Sequence, residues 1–236
     1  MKIFRKLLVI LLILILLACG LMFILGYSSY SEALKEKPLL TRIEEVTSDE
    51  HYVKYDDLSK DYINAVVAVE DQRYYEHGAV DPIGILRALW VNIRNGELQE
   101  GGSTITQQVA KNIIFSQEET FSRKLGEMVA AFDLEKNFSK NEILSIYVNT
   151  CYFGDGYYGI YDASMGYYNK EPKDLNLDEA SMLAGVPNAP SVYAPTVNPD
   201  LAKKRQAHVL ERIVENGYIT QEQADNIDQS FIDNIN

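Results

Sequence analysis

Histidine, cysteine and tryptophan are scarce in this 236-residue chain, at three, two and one copies, and each shortage removes a class of function. Cys19 lies inside an apolar run and Cys151 far outside it, so no intramolecular disulfide framework staples the fold. His51, His77 and His208 have neither a Cys nor a second His at ligand spacing, which argues against a zinc centre. No GxxxxGK loop cradles a phosphate, and no Ser/His/Asp or Cys/His arrangement offers a convincing base. Positive charge is short as well: 22 Lys and Arg face 34 Asp and Glu, a net of -12, with no basic stripe. A nucleic-acid backbone is gripped mainly through clustered Lys and Arg, so no nucleic-acid partner is expected.

Aliphatic sequence, by contrast, is abundant at the start. Leu7 to Leu25 is a 19-residue run with only Gly20 outside the hydrophobic set and no charge, long enough to cross a bilayer as one helix. Lys2, Arg5 and Lys6 precede it, so the positive-inside bias places the N-terminus in the cytoplasm and residues 27–236 outside. The run exceeds a signal-peptide core and no small-x-small cleavage pattern follows, which favours an uncleaved single-pass anchor. Leu16-Leu17-Ala18-Cys19 resembles a lipoprotein processing site, the minor alternative. Beyond the anchor, 19 basic residues stand against 34 acidic ones, a net of -15 over a domain-sized piece. The expected organisation is a basic tip and transmembrane anchor over 1–26, a stalk with one short extended piece over 27–54, and an extracytoplasmic domain over 55–236.

Apolar periodicity past the anchor is helical almost throughout and shows no repeat, predicting a mainly α domain. Asp61 to Asp71 puts Tyr62, Val66 and Val69 on one stripe with Glu70 at its end. Asp81-Pro82 is an N-cap with Pro at the first helical position, and Asn95-Gly96 closes that helix. Its broad face of Ile85, Leu86, Leu89, Trp90 and Ile93 is expected in the core rather than against a membrane. Ser103 is expected to cap a helix that buries Ile105, Val109 and Ile113 and turns Thr104, Gln107, Gln108 and Lys111 the other way. Ser122 is expected to cap the next, burying Leu125, Met128, Val129 and Phe132 and grouping Arg123, Lys124 and Glu127. Ser139-Lys140-Asn141-Glu142 is a capping box. An aromatic, Gly-rich loop runs from Cys151 to Gly159, and helices follow at 160–168, 177–185, 199–216 and from Thr220.

Chemistry therefore falls to carboxylates. Most Glu side chains are solvated charges, but Glu70 ends an apolar stripe, where desolvation raises a carboxyl pKa and suits it to accept a proton near neutral pH. Glu127 stands beside Arg123 and Lys124, which alone would be a surface cluster of little energetic weight.

Five blocks then appear in order: Glu70-Asp71-Gln72-Arg73-Tyr74-Tyr75-Glu76-His77-Gly78; Gly101-Gly102-Ser103-Thr104-Ile105-Thr106-Gln107-Gln108 with Lys111-Asn112; Arg123-Lys124-Leu125-Gly126-Glu127; Lys140-Asn141-Glu142-Ile143-Leu144 with Tyr147 and Asn149; and the later Tyr152-Phe153-Gly154 and Ala189-Pro190-Ser191-Val192-Tyr193. Together they resemble the peptidoglycan glycosyltransferases of family 51, the transglycosylase domains of bifunctional penicillin-binding proteins and their monofunctional relatives. The likeness spans about residues 55–220. It implies a lysozyme-like helical glycosyltransferase domain that polymerises lipid II, an undecaprenyl-diphosphate-linked disaccharide pentapeptide, into β-1,4-linked glycan with inversion. Glu70 is then the general base. Glu127 is the second essential carboxylate, orienting basic residues or holding a divalent cation such as Mg or Mn on the diphosphate, with no organic cofactor. Lys111, Arg123 and Lys124 would neutralise the departing diphosphate, while Asp71, His77, Ser103, Thr104, Gln107, Gln108 and Asn112 are candidate substrate contacts. The partners implied are lipid II, the growing glycan strand, the membrane and other wall-synthesis proteins. Only about 20 residues follow the likeness, so the monofunctional type is expected. Relatives usually carry Arg where this chain has Glu119, an anion in place of a cation. Two readings from other classes stand beside this one: a lytic enzyme of the lysozyme type, and a silent lipid II-binding scaffold motivated by Glu119.

Overall fold

The computed structural model describes residues 2–96, 101–115 and 120–227. Helices dominate them, and the only β pairing among the described residues is an isolated bridge between Tyr152 and Tyr158. Helix α1, Lys2–Ala33, is apolar enough to cross a membrane, and its side chains up to Leu25 face outward on all sides. The helix does not stop at residue 26. Its last two turns dock on α6, Phe121–Asn137, burying Gly26 and Tyr30.

Two glycines set that contact. A Cβ on Gly26 would lie 2.7 Å from the Leu125 carbonyl oxygen, and one on Gly126 would lie 3.0 Å from Ser29 Oγ. The Tyr30 hydroxyl also donates to Asp133 at 2.6 Å. Arg42 braces the junction by donating to the carbonyls of Ala33, Lys37 and Ile113, two of them at helix C-termini, where orphan carbonyls favour a cation. Arg42 lies on α2, Leu39–Thr47, whose Leu39 and Ile43 enter the main core together with Val53. The segment expected as a stalk is therefore a packed part of the domain and contains helix in place of an extended piece. Its leucine and isoleucine at helical spacing remove more apolar area from water against the helices over Ile105–Ile114 and Lys140–Thr150 than they could standing free.

The remaining helices wrap one core. α3, Lys60–Glu70, is capped by Ser59 and packs on α9, Leu177–Gly185, and α11, Pro199–Glu215. α5, Ile105–Ile114, lies across α6 and α7, Lys140–Thr150. Between α7 and α9 runs α8, Ile160–Tyr168; α10, Pro190–Tyr193, leads into α11, and α12, Gln221–Asp225, follows it. The caps expected at Asp81 and Ser139 form, and Asn198 and Thr220 cap the helices that begin beside them. Two caps sit elsewhere. Thr104, not Ser103, makes the capping box with Gln107, and Thr120, not Ser122, accepts the Arg123 N–H. In each case the earlier or later Ser/Thr loses because only one hydroxyl reaches the N–H three residues ahead.

The largest departure concerns α4, Pro82–Asn95. Gly84 and Ala88 are buried and Arg87, Val91 and Asn92 partly so, while Leu86 and Trp90 are 66% and 67% exposed and Ile93 and Leu89 stand beside them. The apolar face expected in the core is open. Phe132 of α6, also expected inside, is exposed, because the buried side of that helix carries Arg123, Leu125, Glu127, Ala131 and Leu134 instead.

Candidate active site

Glu70 is the last residue of α3, where an apolar stripe delivers it to the edge of the core at 11% side-chain exposure. Its Oε2 accepts a 2.7 Å hydrogen bond from Gln108 Nε2 of α5. The Tyr147 hydroxyl makes a long 3.5 Å contact with Gln108 Oε1. Burial raises the Glu70 pKa above the ordinary carboxylate value, against the lowering pull of the Gln108 bond and of Arg205, while Asp71 adds a further upward push.

Glu70 opens onto a cleft of about 560 Å³. Across it, Glu127 is wholly buried, with Oε1 3.0 Å from Arg123 Nε and Oε2 accepting from Lys124 Nζ at 2.6 Å. Oε2 is thus hydrogen-bonded, while Oε1 is ion-paired with Arg123 but accepts no hydrogen bond among the described residues; the pairing fits the orientation of basic residues, and no step is assigned to a divalent ion. Ser103, Gln108, Lys111, Arg123 and Lys124 all line this cleft.

The other expected contacts lie elsewhere. Thr104 and Gln107 are spent on each other as a capping box, and the Thr104 hydroxyl donates to the Ala79 carbonyl. Asn112 faces a neighbouring cavity and reaches Thr150. Asp71 and His77 form a brace beneath the base. His77 Nε2 meets Asp71 Oδ1 at 2.7 Å, its Nδ1 meets the Gly78 carbonyl at 2.6 Å, and Asp71 Oδ2 accepts the Ile105 N–H at the start of α5. Both ring nitrogens of the 4%-exposed His77 side chain thus meet acceptors, an arrangement that favours its protonated form. Burial lowers its pKa, but the bonds to Asp71 and Gly78 outweigh that and the net direction is upward. The loop after Glu70 is thereby tied to the helix that carries Gln108. Glu119, whose charge departs from the family pattern, lies outside the described residues.

Sequence reasoning missed a wall. Arg205, His208 and Arg212 recur on α11 at spacings of three and four, and all three line the cleft, joined by Arg87 from α4. Arg212 donates to Gln72 at 2.5 Å, so that wall is tied back to the Glu70 loop. The one-face spacing on α11 was the available signal. In a chain of net -12, the described residues of the cleft lining include six Lys or Arg against two carboxylates, which suits a ligand of concentrated negative charge.

A mainly helical domain with a desolvated glutamate facing a cationic wall defines a site for transfer from an anionic leaving group. Comparison with known proteins agrees. Residues 36–214 match the family model described as Transglycosylase, and the chain belongs to that family. It is 48% identical over 174 residues to penicillin-binding protein 1A of Neisseria flavescens, covering 74% of this chain and 22% of that protein. It is 44% identical over 172 residues to penicillin-binding protein 1A of Aquifex aeolicus, covering 73% and 24%. The chain thus spans under a quarter of the length of the curated relatives it matches.

Proposed function

We propose that the protein is a peptidoglycan glycosyltransferase that extends glycan strands from lipid II at the outer face of the membrane. The observation that carries this reading is the joint lining of one cleft by a buried, amide-held glutamate and by Lys111, Arg123 and Lys124. A sugar hydroxyl is a weak nucleophile until a base takes its proton. In this reading Glu70 accepts the proton as the acceptor oxygen bonds to the donor's anomeric carbon. The bond from that carbon to the lipid diphosphate breaks on the opposite face, which inverts the centre. The electron pair leaves on the diphosphate, which needs positive charge and no proton. Lys124 and Arg123, aimed by Glu127, supply it with Lys111. The long apolar α1 and the open apolar face of α4 fit a substrate that arrives in the bilayer.

The test is incubation of the purified full chain with labelled lipid II and separation of the products by size. Polymer supports the reading. Binding without polymer would instead identify a scaffold, and release of reducing ends or anhydro sugars from purified wall, without use of the lipid-linked donor, a lytic enzyme. Labelling of Ser48→Cys by a membrane-impermeant reagent on intact cells checks the outward orientation; protection until lysis would reverse it.

A further inference from the structure

We propose that Arg205 is a positioning residue of this reaction: seated on Gly185 and Tyr193, its guanidinium is the fixed counter-ion of Glu70 and orients the carboxylate oxygen that Gln108 leaves open. The inference rests on reading Glu70 as the base.

The seat is built from three elements. Arg205 Nε donates to the Gly185 carbonyl at the end of α9 at 3.2 Å, and its guanidinium carbon lies 5.8 Å from the Tyr193 ring centroid on α10. Gly185 has ordinary helical backbone angles, φ -79° and ψ -29°, so its glycine answers a need for room and not for conformation. A Cβ there would come 2.9 Å from Arg205 Cγ, closer than the stem of the side chain tolerates. Held this way at 14% exposure, Arg205 Nη2 stops 3.9 Å from Glu70 Oε1, while Gln108 holds Oε2.

That distance matters. It is too long for a hydrogen bond, so the lone pairs of Oε1 are left for an incoming hydroxyl proton. It is short enough for a desolvated ion pair to favour the charged carboxylate. A bidentate arginine would satisfy the charge but occupy the acceptor. The seat explains how a cation can be kept near the base without closing onto it.

The other groups facing Glu70 do not replace Arg205. Asp71 opposes ionisation, and Tyr62, Tyr147 and Cys151 are pushed upward by burial and stay neutral near neutral pH. Lys111 of α5 lies on the Cys151 side of the site. Along the wider cleft, Arg123 and Lys124 are bound to Glu127 on α6, and Arg87, His208 and Arg212 are the remaining cationic or titratable members among the described residues.

The experiment is the pH profile of kcat/KM for polymerisation of labelled lipid II by the full chain in detergent, for wild type, Arg205→Gln, Arg205→Lys and Gly185→Ala. The acid limb should move up by about one pH unit in Arg205→Gln and return to within a few tenths of wild type in Arg205→Lys. Gly185→Ala should move it in the same direction by displacing the arginine stem, although Ala is the better helix former and leaves α9 intact. The Glu70 carboxyl is followed in parallel by ¹³C NMR, assigned by the signal lost in Glu70→Gln. A lower maximal rate with an unmoved limb and an unmoved Glu70 titration would reduce Arg205 to packing and overturn the inference. An inactive wild type whose Glu70 titration still shifts with Arg205→Gln would refute the polymerase reading and leave the counter-ion standing.

Discussion

Glu70→Gln should separate catalysis from stability in opposite directions. The amide is nearly isosteric, and its oxygen can still accept the Gln108 Nε2–H bond now 2.7 Å long, so little packing is lost. It cannot take a proton. Loss of a general base costs about 10² to 10⁴ in rate, or roughly 3 to 5 kcal/mol of transition-state stabilisation. Stability should not follow. Burial raises the Glu70 pKa in the folded state, so this carboxyl contributes stability that is full below its unfolded pKa and is lost as pH rises through the folded one. At neutral pH the wild type therefore carries a disfavoured buried charge, which the amide removes. Polymer formation from lipid II and thermal unfolding at about pH 7.5 and pH 4.5 check both arms: activity should vanish while Tm at the higher pH equals or exceeds wild type, with the gain shrinking at the lower. Near-normal turnover would remove Glu70 from the role of base. A lost activity accompanied by a Tm lowered at both pH values would make it a structural residue instead.

Three further outcomes follow from the geometry. Acceptors on both ring nitrogens raise the His77 pKa, so its contribution is full below an unfolded pKa of about 6.5 and is lost as pH rises through its raised folded value; urea unfolding of His77→Gln should show a flatter loss of stability between about pH 6 and pH 9, and an unchanged slope would remove the brace. Gly26→Val places a Cβ against the Leu125 carbonyl, and misplacing α6 should cut polymerisation about tenfold or more with the protein still membrane-inserted; wild-type activity would uncouple the anchor from the site. The chain's single tryptophan, Trp90, is a native probe of the open α4 face: in vesicles its emission should be quenched by brominated lipids, whereas quenching by aqueous iodide alone would place that face in water.

What could be read in advance was what is local. Asp81 before Pro82, Ser139 with Glu142, Asn198 and Thr220 each decide a helix start within one turn, and all four form. Where two hydroxyls compete within a turn, as at Ser103 and Thr104, spacing alone does not choose. The stripe ending at Glu70 showed a carboxylate at the margin of the core, but not which amide or guanidinium would face it. Gln108 and Arg205 come from helices far along the chain, and only tertiary packing brings them to the two oxygens. The motif Glu70 to Gly78 likewise shows polar residues without showing direction; Asp71 and His77 turn under the cleft because the first turn of α5 presents the Ile105 N–H to Asp71. The amphipathic face of α4 announced a need for cover, and the expectation that the core supplies it failed because periodicity does not tell core from other cover. Tyr30, Leu39 and Ile43 are too sparse a pattern to distinguish a docked segment from a stalk until α5, α6 and α7 are in place.

The docking of α1 also bears on where the chemistry happens. Leu25 ends the uncharged run and Tyr30 is already bonded to Asp133, five residues on, which at helical rise is about 7.5 Å. The helix receiving that contact is α6, whose outer side meets the anchor through Leu125 and Gly126 and whose inner side carries Arg123, Lys124 and Glu127. The α6 cations are thus fastened to the long apolar helix without an intervening break, since α1 is continuous from Lys2 to Ala33. A diphosphate borne on a polyprenyl chain sits at headgroup level. If α1 spans the bilayer as proposed, a rigid connection of this length would hold Lys124 and Arg123 near that level. It follows that inserting a flexible Gly-Ser segment between Leu25 and Gly26 should impair donor use even though every cleft residue is retained, with KM for lipid II rising more than kcat falls. Unchanged kinetics in vesicles would show that the cleft finds its substrate without help from the anchor.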